Sequence, residues 1–228
     1  MNRDEKLTRV PALPPAKKRI NGSEVICPSE PTGGTWIALN DSGVCFALIN
    51  WYSSADRVKD QPISRGEVVM MVSGVSTPRL ADEALNSLAL NHINPFRLIG
   101  VFPANRGILE WRWDLRQLAV AHCSWKTQQW ISSGFDEGTA QNARDRTFQH
   151  WLAATSEHDL HWLRALHQSH SPIVGPLSTC VHRPEAGTVS FTEVVVKSRE
   201  GVMRYSPGYP CQRSSDPSAE FRLRLLAH

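Results

Sequence analysis

Between Gly33 and Tyr52 the sequence reads GGTWIALNDSGVCFALINWY. Two short apolar runs, Thr35–Leu39 and Val44–Ile49, flank the stretch Asn40-Asp41-Ser42-Gly43. Asn and Asp tolerate left-handed backbone and bond their own main chain, and glycine pays no steric cost there, so the four residues read as a turn. The flanking runs are rich in β-branched and aromatic residues and too short for helices, which makes them two paired strands. Both are apolar on successive residues, so the sheet they belong to must be covered on both faces. The second strand ends on Asn50, where a buried strand reaches a loop. A polar amide there is either a group presented by a rigid scaffold or a turn-former bonded to nearby backbone.

Around this hairpin the chain alternates between strand and helix signals. Met1–Arg9 reads as a strand end or a loop, Val10–Arg19 as extended and irregular because of Pro11, Pro14 and Pro15, and Asn21–Gly34 as a polar loop. Ser64-Arg65-Gly66-Glu67 has the form of a capping box ahead of the apolar run Val68–Val72, and Thr77-Pro78 opens a second helix that Asn94-Pro95 ends. Strands are expected at Phe96–Phe102, Ile108–Trp113, Leu118–Cys123 and Gln129–Ser132. A helix follows over Asp136–Ala154, and Ser156-Glu157-His158-Asp159 caps another that runs to about His167. The closing strands are Thr179–His182, Thr188–Lys197, Val202–Tyr205 and Glu220–Leu226. Two helix pairs set between groups of strands predict a single α+β domain over residues 1–228, layered as a four-layer αββα sandwich. That layering accounts for a hairpin that is apolar on both faces.

Composition narrows the function classes. A chain of 228 residues with 41% hydrophobic content has ample material for a core. No apolar run reaches the length of a membrane span. The charged stretch MNRDEKLTR, with no apolar segment after it, predicts no export signal and a cytoplasmic protein. A net charge of +3 with scattered basic residues gives no footprint for nucleic acid. The five cysteines, Cys27, Cys45, Cys123, Cys180 and Cys211, are odd in number and contain no CxxC pair, which fits free thiols in a reducing compartment. Histidines crowd the stretch from His150 to His170, and His158 with His161 can share a helix face. No acidic residue or cysteine completes a known ligand spacing with them, so no metal site is expected. Trp111, Trp113, Trp125, Trp130, Trp151 and Trp162 read first as core or edge-strand aromatics.

Asn2-Arg3-Asp4-Glu5 spells the motif that names the NRDE family, also called the transport and Golgi organisation protein 2 family. The chain resembles that family further at Leu7-Thr8-Arg9, Pro11-Ala12, Gly33-Gly34-Thr35-Trp36, Ala47-Leu48-Ile49-Asn50, Ser64-Arg65-Gly66, Ser132-Ser133-Gly134 and the strand Thr188–Val196. The family is distantly similar to N-terminal-nucleophile hydrolases of the bile-salt hydrolase and penicillin acylase type. There an N-terminal Cys attacks an amide carbonyl and its own α-amine serves as base. By that resemblance Arg3 and Asp4 match the pair that orients the nucleophile, Asn50 the oxyanion amide, and Ser133 a position often held by a second Asn. Asn2 and Arg65 are expected to contact ligand. Arg65, following a helix start, either reaches an anionic group or faces water.

In the family a short strand beginning with Cys precedes the NRDE motif, whereas this sequence opens at Met1. The expectation is therefore an amide (C–N) hydrolase cleft whose nucleophile is absent from this chain start. Two other classes are carried beside it. One is a non-catalytic carrier of haem or of a lipid-like acyl ligand, with Cys27-Pro28 as the candidate haem contact. The other is a trafficking-related scaffold. Expected partners are a small-molecule amide, haem or an acyl ligand; no cofactor is expected beyond haem as a possible ligand.

Overall fold

The computed structural model describes residues 1–54, 56–212 and 219–226. Its strands are β1 (Asn2–Lys6), β2 (Leu13–Ile20), β3 (Ser23–Ser29), β4 (Ile37–Asn40), β5 (Cys45–Asn50), β6 (Phe96–Phe102), β7 (Gly107–Trp113), β8 (Leu118–Cys123), β9 (Ala186–Val196), β10 (Glu200–Pro207) and β11 (Ala219–Arg224). Its helices are α1 (Gly66–Val72), α2 (Pro78–Asn86), α3 (Glu137–Ala154) and α4 (Leu160–Gln168). Two antiparallel sheets result, one in the order β2-β3-β4-β5-β6-β7-β8 and one in the order β1-β9-β10-β11. The fold is α+β. The chain gathers into two compact units. The first holds Met1–Pro11, Thr127–Glu193 and Arg204–Glu220; the second holds Ala12–Lys126, Val194–Met203 and Phe221–His228.

In the second unit the central hairpin forms as expected. Gly43 takes φ +72°, and the Asn40 side chain is fully buried with every bonding position used. Its Oδ1 accepts from the Ser42 and Val44 amides at 3.1 and 3.0 Å, and its Nδ2 donates to the Ser73 and Val75 carbonyls at 3.0 and 2.8 Å. One amide thus ties the hairpin turn to the end of α1. Both faces of the sheet are covered. Ala38, Phe46 and Leu48 pack with Val68, Val69 and Val72 of α1 and Ala81 and Leu85 of α2. Ile26 and Leu39 face the other way, onto Met203 of β10 and Leu223 of β11.

Four sequence expectations are corrected in this unit. Asn21–Gly34 is not a loop throughout. Asn21 and Gly22, at φ +50° and +85°, make a two-residue hairpin turn, and β3 follows with Val25, Ile26 and Cys27 fully buried. Val10–Arg19 is largely strand β2, placed at the sheet edge where Pro14 and Pro15 cost no ladder bond. The capping box is also displaced. Arg65 holds the cap position but its side chain makes no capping bond, while Ser64 Oγ accepts from the Gly66 amide at 3.2 Å. The helix start is fixed by contact instead: a Cβ at Gly66 would lie 2.9 Å from Gly34 Cα and from Thr35 N. The GGTW and SRG stretches therefore meet backbone to backbone. Helix α2 is capped by Thr77, which accepts from the Leu80 amide at 3.3 Å, but it ends at Asn86, short of Asn94-Pro95.

The first unit pairs β1 with β9, and α3 and α4 engage these strands. Asp136 caps α3 through the Thr139 amide at 3.0 Å, and Asp159 caps α4 through the Trp162 amide at 2.8 Å. Phe148, Trp162 and Leu166 form a small core between the two helices. Arg164 of α4 reaches Glu193 of β9 at 2.7 Å. Gln129–Ser132 is not a strand, and Thr179–His182 takes part only in isolated bridges. Each unit has the helix-on-sheet layering that the αββα expectation calls for.

Candidate functional site

The NRDE strand lies against β9, with Asn2 opposite Phe191, Arg3 opposite Ser190 and Asp4 opposite Thr188. One step of β1 therefore spans two steps of β9. An irregularity of this kind re-aims side chains beside it and is common next to active sites. Met1 continues the ladder: its nitrogen donates to the Thr192 carbonyl at 2.6 Å, and the Thr192 amide donates back to Met1 O at 2.9 Å. Asn2 Nδ2 donates to the carbonyls of His167 and Thr179, at 3.0 and 2.8 Å. Arg3 is buried, with Glu5 Oε2 at 3.4 Å.

Asp4 is the centre of the arrangement. Its Oδ1 accepts from Thr188 Oγ1 at 2.6 Å, and its Oδ2 lies 3.9 Å from Arg144 Nη2. The Thr188 hydroxyl is held in place because it also accepts from the Val181 amide at 2.9 Å. Surrounding protein raises the Asp4 pKa by desolvation, which outweighs the lowering from Arg144 and Thr188. Yet 31% of its side-chain surface stays open to solvent. Arg144, from α3, also donates to the carbonyls of Ser132 at 3.3 Å and Pro176 at 3.1 Å. His167 is desolvated strongly enough that its pKa falls well below the usual histidine value, so its ring is neutral at pH 7.

The residues that pair with or touch the head of β1 carry an unusual set of buried polar atoms. Among the described residues, Asn2 Oδ1, Arg144 Nε, His167 Nδ1, Thr179 Oγ1, Ser190 Oγ and Thr192 Oγ1 have no hydrogen-bond partner. Buried polar groups are satisfied as a rule, so a concentration of orphans marks a place built for water or a ligand.

The other predicted residues lie elsewhere. Ser133 belongs to this unit, but its Oγ donates to the Phe135 carbonyl at 2.7 Å and accepts from the Phe135 amide at 3.2 Å, so the hydroxyl closes its own turn. Asn50, Arg65 and Cys27 belong to the second unit. Asn50 Nδ2 donates to the Tyr52 hydroxyl at 2.8 Å, and Arg65 Nη1 donates to the Pro95 carbonyl at 3.2 Å. Cys27 is fully buried in the main apolar cluster, and burial pushes its thiol pKa up; that is the setting of a core side chain. Trp111 and Trp113 are core residues that donate to Asp82 Oδ1 and the Ile93 carbonyl, whereas Trp125 is exposed. The His158 ring lies tilted against Trp162, with ring centroids 4.8 Å apart. Arg144, Thr188 and His167 carry no motif and were not among the expected site residues.

The family described as Transport and Golgi organisation 2 matches residues 1–112. Over that stretch the chain is similar to this family. The match takes in the NRDE strand, the GGTW hairpin and the SRG helix start; Ser133 and β9 lie beyond it. No curated protein sequence matches the chain. Among solved structures, penicillin V acylase from Agrobacterium tumefaciens is similar at 12% identity and a TM-score of 0.47, with 90% of this chain and 81% of that chain covered. Among the described residues no helix is long and apolar enough to cross a membrane.

Proposed function

We propose that the head of β1 floors a cleft that binds a small molecule bearing an amide or acyl carbonyl and hydrolyses its C–N bond. The observation that supports this is the setting of Asp4. Two other carboxylates are held by paired arginines: Glu110 by Arg97 and Arg112, and Glu193 by Arg164 and Arg204. Burial pushes both upward, but their arginine partners outweigh it and hold both pKa values below the ordinary range. Asp4 has one guanidinium at 3.9 Å, one hydroxyl and a raised pKa. A carboxylate left partly uncompensated in a cleft, ringed by unpartnered polar atoms, is arranged for a ligand rather than for stability. Asp4 acts as a positioning residue in this reading, with Arg3 beside it, and the resemblance puts the nucleophile on a Cys ahead of the NRDE motif.

The test uses protein from its native cells, its first residue read by N-terminal sequencing and intact mass. Simple amides and N-acyl amino acids are then offered, with amine release as the readout. The expected result is a mature chain that begins with Cys upstream of Met1, and turnover that Asp4→Asn abolishes while near-ultraviolet circular dichroism is retained. A mature chain beginning at Met1 or Asn2 overturns the hydrolytic reading, as does undiminished turnover in Asp4→Asn.

A further inference from the structure

A second cluster in the first unit lies outside this cleft. His170 follows α4, Cys180 and His182 flank Val181, and Cys211 sits in the short helical turn Pro210–Gln212 after β10. One ligand atom from each of these four residues lies within 4.8 Å of all the others. His182 Nε2 is 3.5 Å from Cys180 Sγ and 3.2 Å from Cys211 Sγ. We propose that His170, Cys180, His182 and Cys211 form a zinc site of the Cys2His2 type.

The two His182–sulfur distances are close to those such an ion requires, and the remaining ligand atoms, all within 4.8 Å of one another, would draw in slightly around it. A tetrahedron with Zn–S of about 2.3 Å and Zn–N of about 2.0–2.1 Å has S···N edges of roughly 3.5 Å and S···S edges of roughly 3.8 Å. Hydrogen bonding alone does not satisfy the cluster. A neutral imidazole nitrogen either donates one bond or accepts one, and His182 Nε2 faces two sulfurs. The Nε2 of His170 is buried and, among the described residues, has no hydrogen-bond partner. A metal ion satisfies all four atoms at once. Two thiolates and two neutral imidazoles around a divalent cation also sum to zero charge, which suits a half-buried site. Two sulfurs and two imidazole nitrogens select zinc over magnesium or calcium.

The surroundings hold the rings in position. His182 stacks on Tyr209, with ring centroids 4.1 Å apart and planes at 14°, and meets His170 edge to face at 5.0 Å. Tyr209 reaches this place because residue 187 is glycine: a Cβ there would come within 2.8 Å of the tyrosine ring and hydroxyl. Cys180 and Cys211 are both free thiols. Zinc displaces the thiol protons and supplies the charge the thiolates need. The ion would pin together three separate segments: the residue after α4, the 180–182 stretch and the 210–212 turn. Thr179, next to Cys180, is a carbonyl partner of Asn2, so the metal would also steady one wall of the β1 cleft.

The full-length protein, purified without chelator, is assayed for metal content and titrated with Zn(II) and with Co(II) as a spectroscopic probe. The expected results are about one zinc per chain and, on cobalt binding, thiolate charge-transfer bands with tetrahedral d–d bands. Cys211→Ser should weaken zinc binding by more than about tenfold, and metal removal should lower Tm reversibly. Because that variant could fold poorly, the wild-type protein is also alkylated with and without zinc, with Cys180 and Cys211 expected to be protected by the metal. Absence of both zinc and the cobalt charge-transfer bands overturns the proposal. So does alkylation of both thiols unaffected by zinc, or an intact mass that shows a Cys180–Cys211 disulfide without metal.

Discussion

Glu193→Gln changes one charge and almost no volume, which makes it a clean probe of the ion cluster on β9. The Glu193 side chain is 1% exposed. It accepts from Arg164 Nε at 2.7 Å, Arg164 Nη2 at 3.0 Å and Arg204 Nη1 at 2.7 Å. A glutamine keeps one acceptor oxygen and turns an NH2 group toward a guanidinium N–H, so at least one of these bonds becomes a clash of donors. Removing one member of a buried ion pair costs about 3–5 kcal/mol. Arg164 and Arg204 are 25% and 21% exposed, and Arg204 keeps Glu220 at 2.6 Å, so both cations have somewhere to turn. The expected cost is therefore at the low end, about 3 kcal/mol. For a chain of this length that corresponds to a fall in Tm of roughly 6–12 °C. Urea unfolding at pH 7 should show it as a lowered midpoint with an unchanged m value. The pH dependence checks the cause. Burial pushes the Glu193 carboxyl up, but bonds and charge from Arg164 and Arg204 outweigh this and hold it below the ordinary glutamate value. Its contribution is complete above the unfolded pKa of about 4.3 and is lost as pH falls through the folded pKa, so variant and wild type should converge in acid. A loss under about 1 kcal/mol at pH 7, or a gap that does not narrow in acid, would refute the reasoning.

Asp4→Asn should act in the opposite sense. The folded pKa of Asp4 lies above its unfolded value, so within that window the native state holds more protons and stability declines as pH rises. The amide removes this decline and should leave Tm at pH 7 unchanged or higher; a Tm several degrees lower would mean that Asp4 is a structural ion-pair member. Gly100→Ala would place a Cβ 2.8 Å from the rings of Phe102 and Trp111 and 3.0 Å from that of Phe46. Overpacking of this kind costs about 1–3 kcal/mol and should disturb the near-ultraviolet signal of the aromatic cluster, so wild-type stability with an unchanged spectrum would contradict the packing.

The parts of the fold that could be read from sequence are those set by local chemistry. The hairpin at Asn40–Gly43, the caps Thr77, Asp136 and Asp159, and the strand Phe96–Phe102 all form where turn residues, cap residues and apolar runs put them. Strand β3 was missed although Asn21-Gly22 is a strong hairpin signal, because Glu24 and Pro28 frame the short apolar run Val25-Ile26-Cys27 and make the stretch look polar. Gln129–Ser132 shows the reverse error. Its composition suits a strand, but no neighbour supplies a ladder, and strand propensity without a partner decides little. The capping box at Ser64 gave way to a tertiary demand, the close approach of Gly66 to Gly34.

The site was legible only where a motif carried it. Arg3 and Asp4 came from NRDE, but the groups that define their chemistry come from α3, β9 and the end of α4, and Thr188 lies 184 residues from Asp4. The hydroxyl of Ser133 was drawn into a turn two residues away, as short polar side chains often are. For the His/Cys cluster one signal was present: Cys180 and His182 are two apart on extended chain, which sets both side chains on one side. Their partners come from other segments, and no spacing announces them. The same limit applies to charge. Glu110, Glu193 and Asp4 each read in sequence as an acidic residue among mixed neighbours. Folding gives the first two a pair of guanidiniums each and leaves the third with one, at 3.9 Å, where desolvation raises its pKa. Partner geometry, more than burial, separates a carboxylate that holds a protein together from one kept for a ligand, and partner geometry exists only once the distant segments have met.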